Sequence, residues 1–228
     1  MILSMSDNQT ICAVSTAPGI GGIAVVRISG CDAFGVCDHI FRAAADGVTI
    51  ATMPANTVRF GQISDGNDPI DEVLVTKFCA PHSFTGENVV EISCHGSLYI
   101  QQTILQLLLA QGCRMAAAGE FTQRAFLNGK MDLSQAEAVA DLIASQSRAA
   151  HRLAMNQMRG GFSNELTILR DKLLQFTSLI ELELDFADHE ELEFADRSEL
   201  HQLANEIELK IKHLADSFSV GNVIKNGI

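Results

Sequence analysis

Near residue 120 the apolar residues of this 228-residue chain change period, and that change limits what the chain can fold into. Ahead of it, short β-branched runs alternate with helix-like stretches. Residues 9–15 and 22–29 read as strands separated by the turn Pro18-Gly19-Ile20-Gly21-Gly22. Residues 31–42 read as a helix, with Phe34, Val36, Ile40 and Phe41 on one broad apolar face. Residues 57–64 and 70–79 read as strands, and Asp65-Gly66-Asn67-Asp68-Pro69 between them predicts a hairpin turn. A strand at 88–94, a helix over 97–111 with Gly112 at its C′ position, and a short strand at 113–117 complete the set. Strands mixed with a few helices predict an α+β domain built on a mixed sheet, assigned to residues 1–130.

Beyond residue 120 the text is helical. Ser134-Gln135-Ala136-Glu137 matches a capping box that opens a helix. Leu166, Leu169, Leu173, Phe176 and Ile180 recur three and four residues apart, and Leu200, Leu203, Ile207, Ile211, Leu214 and Phe218 nearly so. Such stripes are the core positions of long helices that pack at shallow angles. Residues 131–228 are therefore expected to form an all-α, helical-bundle segment. Between the stripes, Glu181, Glu183, Asp185, Asp188, Glu190, Glu191, Glu193 and Asp196 form an acidic stretch. Its spacing fits no calcium loop, and a solvated helix end is the simpler reading.

Charge and cysteine usage exclude several functions. The net charge is −12, with 7 basic against 11 acidic side chains in residues 1–130 and 9 against 17 in 131–228. A phosphate-gripping nucleic-acid surface needs a basic patch, which this balance does not supply. The six cysteines, Cys12, Cys31, Cys37, Cys79, Cys94 and Cys113, form no CxxC pair and no zinc spacing, so buried free thiols in a reducing compartment are expected. No apolar run reaches the length of a membrane span, and Met1-Ile2-Leu3-Ser4-Met5 has no signal-peptide character; a cytoplasmic location is expected. No metal site is expected.

Three polar clusters interrupt the apolar text. In the first, Pro18 to Gly30, the glycines can let backbone approach a ligand, and Arg27 stands inside a β-branched run as either a solvent-facing or a buried functional charge. The second runs from Ser83 to Gly96. Within it Glu91 is flanked by Val89, Val90 and Ile92, so its carboxylate needs a partner. Arg27 is one candidate; a ligand that presents two adjacent N–H donors, as a pterin does, is another. His95 beside Gly96 reads as a satisfied structural histidine more readily than as a catalytic base, because no nucleophile motif accompanies it. The third cluster is Gly119 to Leu133. Glu120 and Arg124 stand at i,i+4, and Lys130 follows Asn128-Gly129 at a turn, either solvated or facing an anionic tail in a cleft between the two segments. GxxxxGK[ST] is absent, so no P-loop is encoded, and no Rossmann fingerprint is present.

Thr10-Ile11-Cys12-Ala13, Gly21-Gly22-Ile23-Ala24-Val25-Val26-Arg27-Ile28-Ser29-Gly30, Ser83-Phe84-Thr85-Gly86-Glu87-Asn88-Val89-Val90-Glu91-Ile92, the run from Gly119 to Ile143, and Leu182-Glu183-Leu184-Asp185-Phe186-Ala187-Asp188-His189-Glu190-Glu191 resemble the N-terminal half of the MnmE (TrmE) family of tRNA-modification GTPases, in order and spacing. The resemblance implies an N-terminal domain similar to the tetrahydrofolate-binding domain of aminomethyltransferase. That domain binds 5-formyl- or 5,10-methylene-tetrahydrofolate and forms a homodimer. A helical domain follows, into which a GTP-binding domain is inserted; GTP, Mg2+ and K+ belong to that absent part. With the FAD-dependent partner MnmG (GidA), the family modifies the wobble uridine of tRNA. The family's folate contacts map onto Arg27, Glu91 and Lys130, with Arg124 and Asn128 as further candidates. No catalytic residue is expected in the present chain, whose last residues, Ile224 to Ile228, resemble the text before the family's P-loop strand. Two departures remove positive charge: Ile20 replaces an arginine of the glycine turn, and Ala117-Ala118 replaces Arg-Pro. The competing readings are a stand-alone folate-dependent aminomethyltransferase and an interaction scaffold with a degenerate folate pocket.

Overall fold

A computed structural model describes residues 9–45, 47–186 and 197–226. The chain divides into two compact units, Met1–Met131 and Asp132–Ile228. The first is built on one seven-stranded sheet. Its strands are β1 (Ile11–Val14), β2 (Gly21–Ser29), β3 (Phe41–Ala43), β4 (Thr57–Asp65), β5 (Asp68–Phe78), β6 (Val89–Gly96) and β7 (Arg114–Met115). They lie in the order β3-β4-β5-β6-β2-β1-β7. Only β1 and β7 run parallel.

The period-two alternation of the strands sorts the sheet into two faces. Val26, Ile28, Val73, Val75, Val90 and Ile92 are buried and join the core with α1 (Ala33–Ile40) and α2 (Leu98–Ala110). The helices contribute Ala33, Val36, Cys37, Ile40, Ile104 and Leu108. Each large aliphatic side chain buried here contributes roughly 1.5–3 kcal/mol. Their strand neighbours Arg27, Leu74 and Glu91 alternate onto the opposite face, which carries the candidate site. A third helix of this unit, α3 (Glu120–Leu127), follows β7.

Three local details differ from the sequence expectation. The helix expected over 31–42 stops at Ile40, and Phe41–Ala43 instead pairs with β4. Gly61 makes that pairing possible, because a Cβ there would overlap the Arg42 carbonyl and the Phe41 ring. The hairpin turn is tighter than expected: Asp65 pairs with Asp68, leaving only Gly66-Asn67 between them. The capping box begins at Asp132, not Ser134. The Asp132 side chain accepts from the Gln135 N–H at 2.9 Å, and the Gln135 side chain accepts from the Asp132 N–H at 2.8 Å.

Lys77 is buried although nothing in its sequence context marks it. Its ammonium donates to the carbonyls of Ala51 and Met53, both at 2.9 Å, and lies over the Phe34 ring. Four of the cysteines are buried, Cys79 is half-buried and Cys31 exposed; all six are free thiols. Burial pushes the Cys94 thiol up to about 11 and raises that of Cys37 as well, which keeps both protonated and unreactive.

The second unit is helical: α4 (Leu133–Ala144), α5 (Arg148–Met158), α6 (Gly161–Phe186) and α7 (Arg197–Asn226). Lys172 pairs with Glu206 at 2.5 Å across α6 and α7, and Lys210 pairs with Glu165. Leu203 and Ile207 of the second stripe are buried, but Leu166, Leu173, Ile180 and Ile211 stay more than a third exposed. A pair of helices buries only the faces turned to each other, so the stripes are core on one side only. Leu173, Phe176, Ala204, Ile207 and Ile211 line an open groove of about 560 Å³ between the two helices. The Phe218 side chain and most of the acidic stretch, from Asp188 to Asp196, lie outside the described residues.

Candidate functional site

Arg27 on β2 stands directly opposite Glu91 on β6. Its Nε donates to Glu91 Oε1 at 2.8 Å, and its Nη2 lies 2.7 Å from the same oxygen. The two side chains retain 24% and 26% of their exposure, so this is a partly solvated pair on the open face of the sheet. Among the described residues Glu91 Oε2 makes no hydrogen bond. The Arg27 guanidinium also lies over two aromatic rings, 5.3 Å from the centre of Phe84 and 5.5 Å from that of Phe121.

A buried ion network holds those two rings in place. Phe84 belongs to the loop between β5 and β6, and Phe121 to the first turn of α3. Arg124 joins these elements. Its Nη1 donates to both oxygens of Glu87 at 3.2 Å, and its Nη2 donates to Glu120 Oε1 at 3.1 Å and to the Gln9 carbonyl at 2.9 Å. Glu120 is gripped from the other side by Arg114, at 2.7 and 2.9 Å, and accepts from the Ala117 N–H at 2.7 Å. The Arg114 guanidinium, then the Ala117 amide and Arg124, hold the Glu120 carboxyl down at about 2, against the opposing effect of burial. Ser29 donates to Glu87 Oε2 at 2.7 Å and shares a hydrogen bond with Thr85, which ties the loop to the end of β2. Glu120 and Arg124 are 8% and 7% exposed, and every polar contact named here closes the network inward.

The sequence candidates fall into two groups. Arg27 and Glu91 meet on the open face. Arg124 and Asn128 serve the scaffold, the latter donating to the Thr85 carbonyl at 2.8 Å. Lys130 lies beside the same loop, donating to the Pro81 carbonyl at 2.9 Å. The loop passes close to it at Gly86, whose φ of +79° suits glycine, and where a Cβ would stand 3.1 Å from both Asn128 Cβ and Lys130 Cγ. His95 pairs through Nδ1 with Asp71 at 2.7 Å, and the same carboxylate accepts from the His95 N–H at 2.8 Å, while the ring stays exposed. Sequence reasoning passed over Phe84 and Phe121. The available signal was a phenylalanine in each of two polar segments, Ser83-Phe84-Thr85-Gly86 and Gly119-Glu120-Phe121-Thr122. Among the described residues no cluster of histidine, cysteine and carboxylate side chains is arranged to hold a metal ion.

A carboxylate with one neutralised and one open oxygen, beside two aromatic rings, is suited to accept from the N–H edge of a flat heterocycle. Comparison with known proteins bears on this geometry. The family described as "GTP-binding protein TrmE N-terminus" matches residues 10–130, and the one described as "MnmE helical domain" matches residues 133–228. The chain belongs to the MnmE (TrmE) family. It is 67% identical over 221 residues to the tRNA modification GTPase MnmE of Parabacteroides distasonis, covering 96% of this chain and 48% of that protein. It is 62% identical over 222 residues to the MnmE of Bacteroides fragilis, covering 97% and 47%. To that of Flavobacterium psychrophilum it is 59% identical over 224 residues, covering 98% and 48%. The chain thus spans about half the length of the curated MnmE proteins it matches. The α+β unit followed by helices is the architecture expected of an MnmE N-terminal region. No described helix is long and apolar enough to cross a membrane.

Proposed function

We propose that this chain is the folate-binding and dimer-forming half of a cytoplasmic tRNA-modification GTPase. Residues 1–130 bind a one-carbon tetrahydrofolate, 5-formyl or 5,10-methylene, and residues 131–228 form the first part of a helical domain. The observation that carries the reading is the Arg27–Glu91 pair, which leaves Glu91 Oε2 without a hydrogen bond among the described residues, on the sheet face opposite the core. Glu91 accepts from the pterin's amine and ring N–H, and Arg27 and Lys130 hold the ligand's anionic parts. The folate supplies the one-carbon unit; the protein binds and orients it.

Further support comes from the exposed surfaces. Phe60 and Leu74 are cross-strand neighbours on the face that carries the site, each about half exposed, with Val58 beside them. An apolar patch of that kind suits a second copy of the chain. The half-exposed stripes of α6 and α7 suit packing by further helices of a protein twice this length. The name of the matched relatives, tRNA modification GTPase, suggests GTP hydrolysis and a tRNA substrate for the complete protein; MnmG as its flavoprotein partner, Mg2+ and K+ are what the family resemblance adds. Titration of the chain with 5-formyl-tetrahydrofolate in a calorimeter tests the central claim. Saturable heat at one site per chain is expected; a flat titration at high micromolar ligand rejects it.

A further inference from the structure

We infer that Phe84 and Phe121 are ligand-facing residues, forming an aromatic slot that takes the guanidine-like edge of the bound heterocycle, and that Arg27 is a built-in competitor for that slot. The inference rests on the folate reading and deepens it. The slot already holds one group of this shape. The Arg27 guanidinium is a flat N–C(N)–N unit lying over two rings, at 5.3 and 5.5 Å, while donating in its plane to Glu91. The 2-amino-4-oxo edge of a pterin is the same N–C(N)–N unit closed into a ring, with two N–H donors in its plane. A site that satisfies one satisfies the other: π faces above the plane and a carboxylate at its edge.

The rings are not free to drift. Phe84 is carried by a loop anchored through Thr85 and Glu87 to Ser29, and Phe121 by a helix anchored through Glu120 and Arg124 to Glu87. The loop and the helix share one buried arginine, so the two rings are set relative to each other before any ligand arrives. The partial exposure of Arg27 gives it room to leave, and its long stem lets it follow the ligand's anionic portion once displaced.

The test compares the unaltered chain with Phe84→Leu and Phe121→Leu, which keep apolar volume but remove the π face, and with Phe84→Tyr and Phe121→Tyr, which keep it. Affinity for 5-formyl-tetrahydrofolate should fall on the order of tenfold for each leucine variant and return with tyrosine. A second measurement does not depend on how the variants fold: nuclear Overhauser contacts between the ring protons of Phe84 and Phe121 in the unaltered chain and the 2-amino and N3 protons of the bound ligand. These contacts are expected. Leucine variants that bind as tightly as the unaltered chain, or a bound ligand with no phenylalanine contacts, overturn the slot while leaving the folate reading intact. An unaltered chain that binds no 5-formyl-tetrahydrofolate overturns both.

Discussion

Arg27 reaches Glu91 through Nε and Nη2, and both contacts fall on one carboxylate oxygen, Oε1, at 2.8 and 2.7 Å. A purely structural pair on neighbouring strands gains most from a fork that uses both oxygens. The one-oxygen contact leaves Oε2 for another donor. Glu91 therefore serves two roles in turn, partner of Arg27 in the unliganded chain and acceptor for a ligand that takes the place of Arg27.

Replacement of Glu91 by Gln separates those roles. It exchanges one acceptor oxygen for a donor that faces the donors of the ligand. A loss on the order of 2–4 kcal/mol in 5-formyl-tetrahydrofolate binding is expected. Folding should change by about 1 kcal/mol or less, because the ion pair is partly solvated. Calorimetric affinity and thermal melting on the same variant decide the point. Retained affinity rejects the acceptor role, and a collapsed melting temperature assigns Glu91 to structure alone.

Lys130→Ala should weaken the same ligand less than Glu91→Gln does. The ammonium donates to a single carbonyl, that of Pro81, and a solvent-screened lysine contributes about 1 kcal/mol or less. The ordering of the two variants in one titration series is the check; a larger loss for Lys130→Ala contradicts it.

Much of this was legible in the sequence, and the gaps have physical causes. The strand set and the hairpin followed from period and turn chemistry. Phe41 escaped because its helix-compatible context was overridden by pairing with Ile63, a contact between residues far apart in the chain. Arg124 was legible only as an i,i+4 partner of Glu120, since Glu87 and Gln9 reach it through tertiary folding. Phe84 and Phe121 stood out only as phenylalanines in polar segments, for the same reason: no local pattern says that a ring on a loop and a ring on a helix converge on Arg27.

The chain should form a homodimer through the sheet face that carries Phe60 and Leu74. Phe60→Asp places a charge in the middle of that patch without touching the core, so each copy should fold while association weakens. Light scattering at micromolar concentration should give a dimer mass for the unaltered chain and a monomer mass for the variant. A monomeric unaltered chain rejects dimerisation, and a dimeric Phe60→Asp moves the interface elsewhere.

No GTP binding is expected of these 228 residues, because a phosphate cradle needs a glycine-rich loop with its lysine and hydroxyl and the sequence holds no GxxxxGK[ST]. Saturable heat on titration with GTP and Mg2+ would contradict this.

Acid should loosen the first unit through Glu120. The ordinary carboxyl value for this residue is 4.5, and the folded chain lowers it to about 2, chiefly through Arg114. A lowered carboxyl favours the native state when ionised, so its contribution is fully present above pH 4.5 and fades as the pH falls from there toward 2. Full loss corresponds to at most about 3 kcal/mol, a sizeable part of the stability of a domain this size. Glu120→Gln removes the titrating group and leaves Arg114 and Arg124 facing a neutral amide, so the variant should be less stable at pH 7. Between pH 4.5 and about 2 its stability should fall less steeply than that of the unaltered chain. Urea midpoints for both chains at pH 7, 4.5 and 3 measure the difference. Parallel pH profiles would mean that the network does not hold Glu120 ionised, and that the loop and helix carrying Phe84 and Phe121 owe their positions to apolar packing instead.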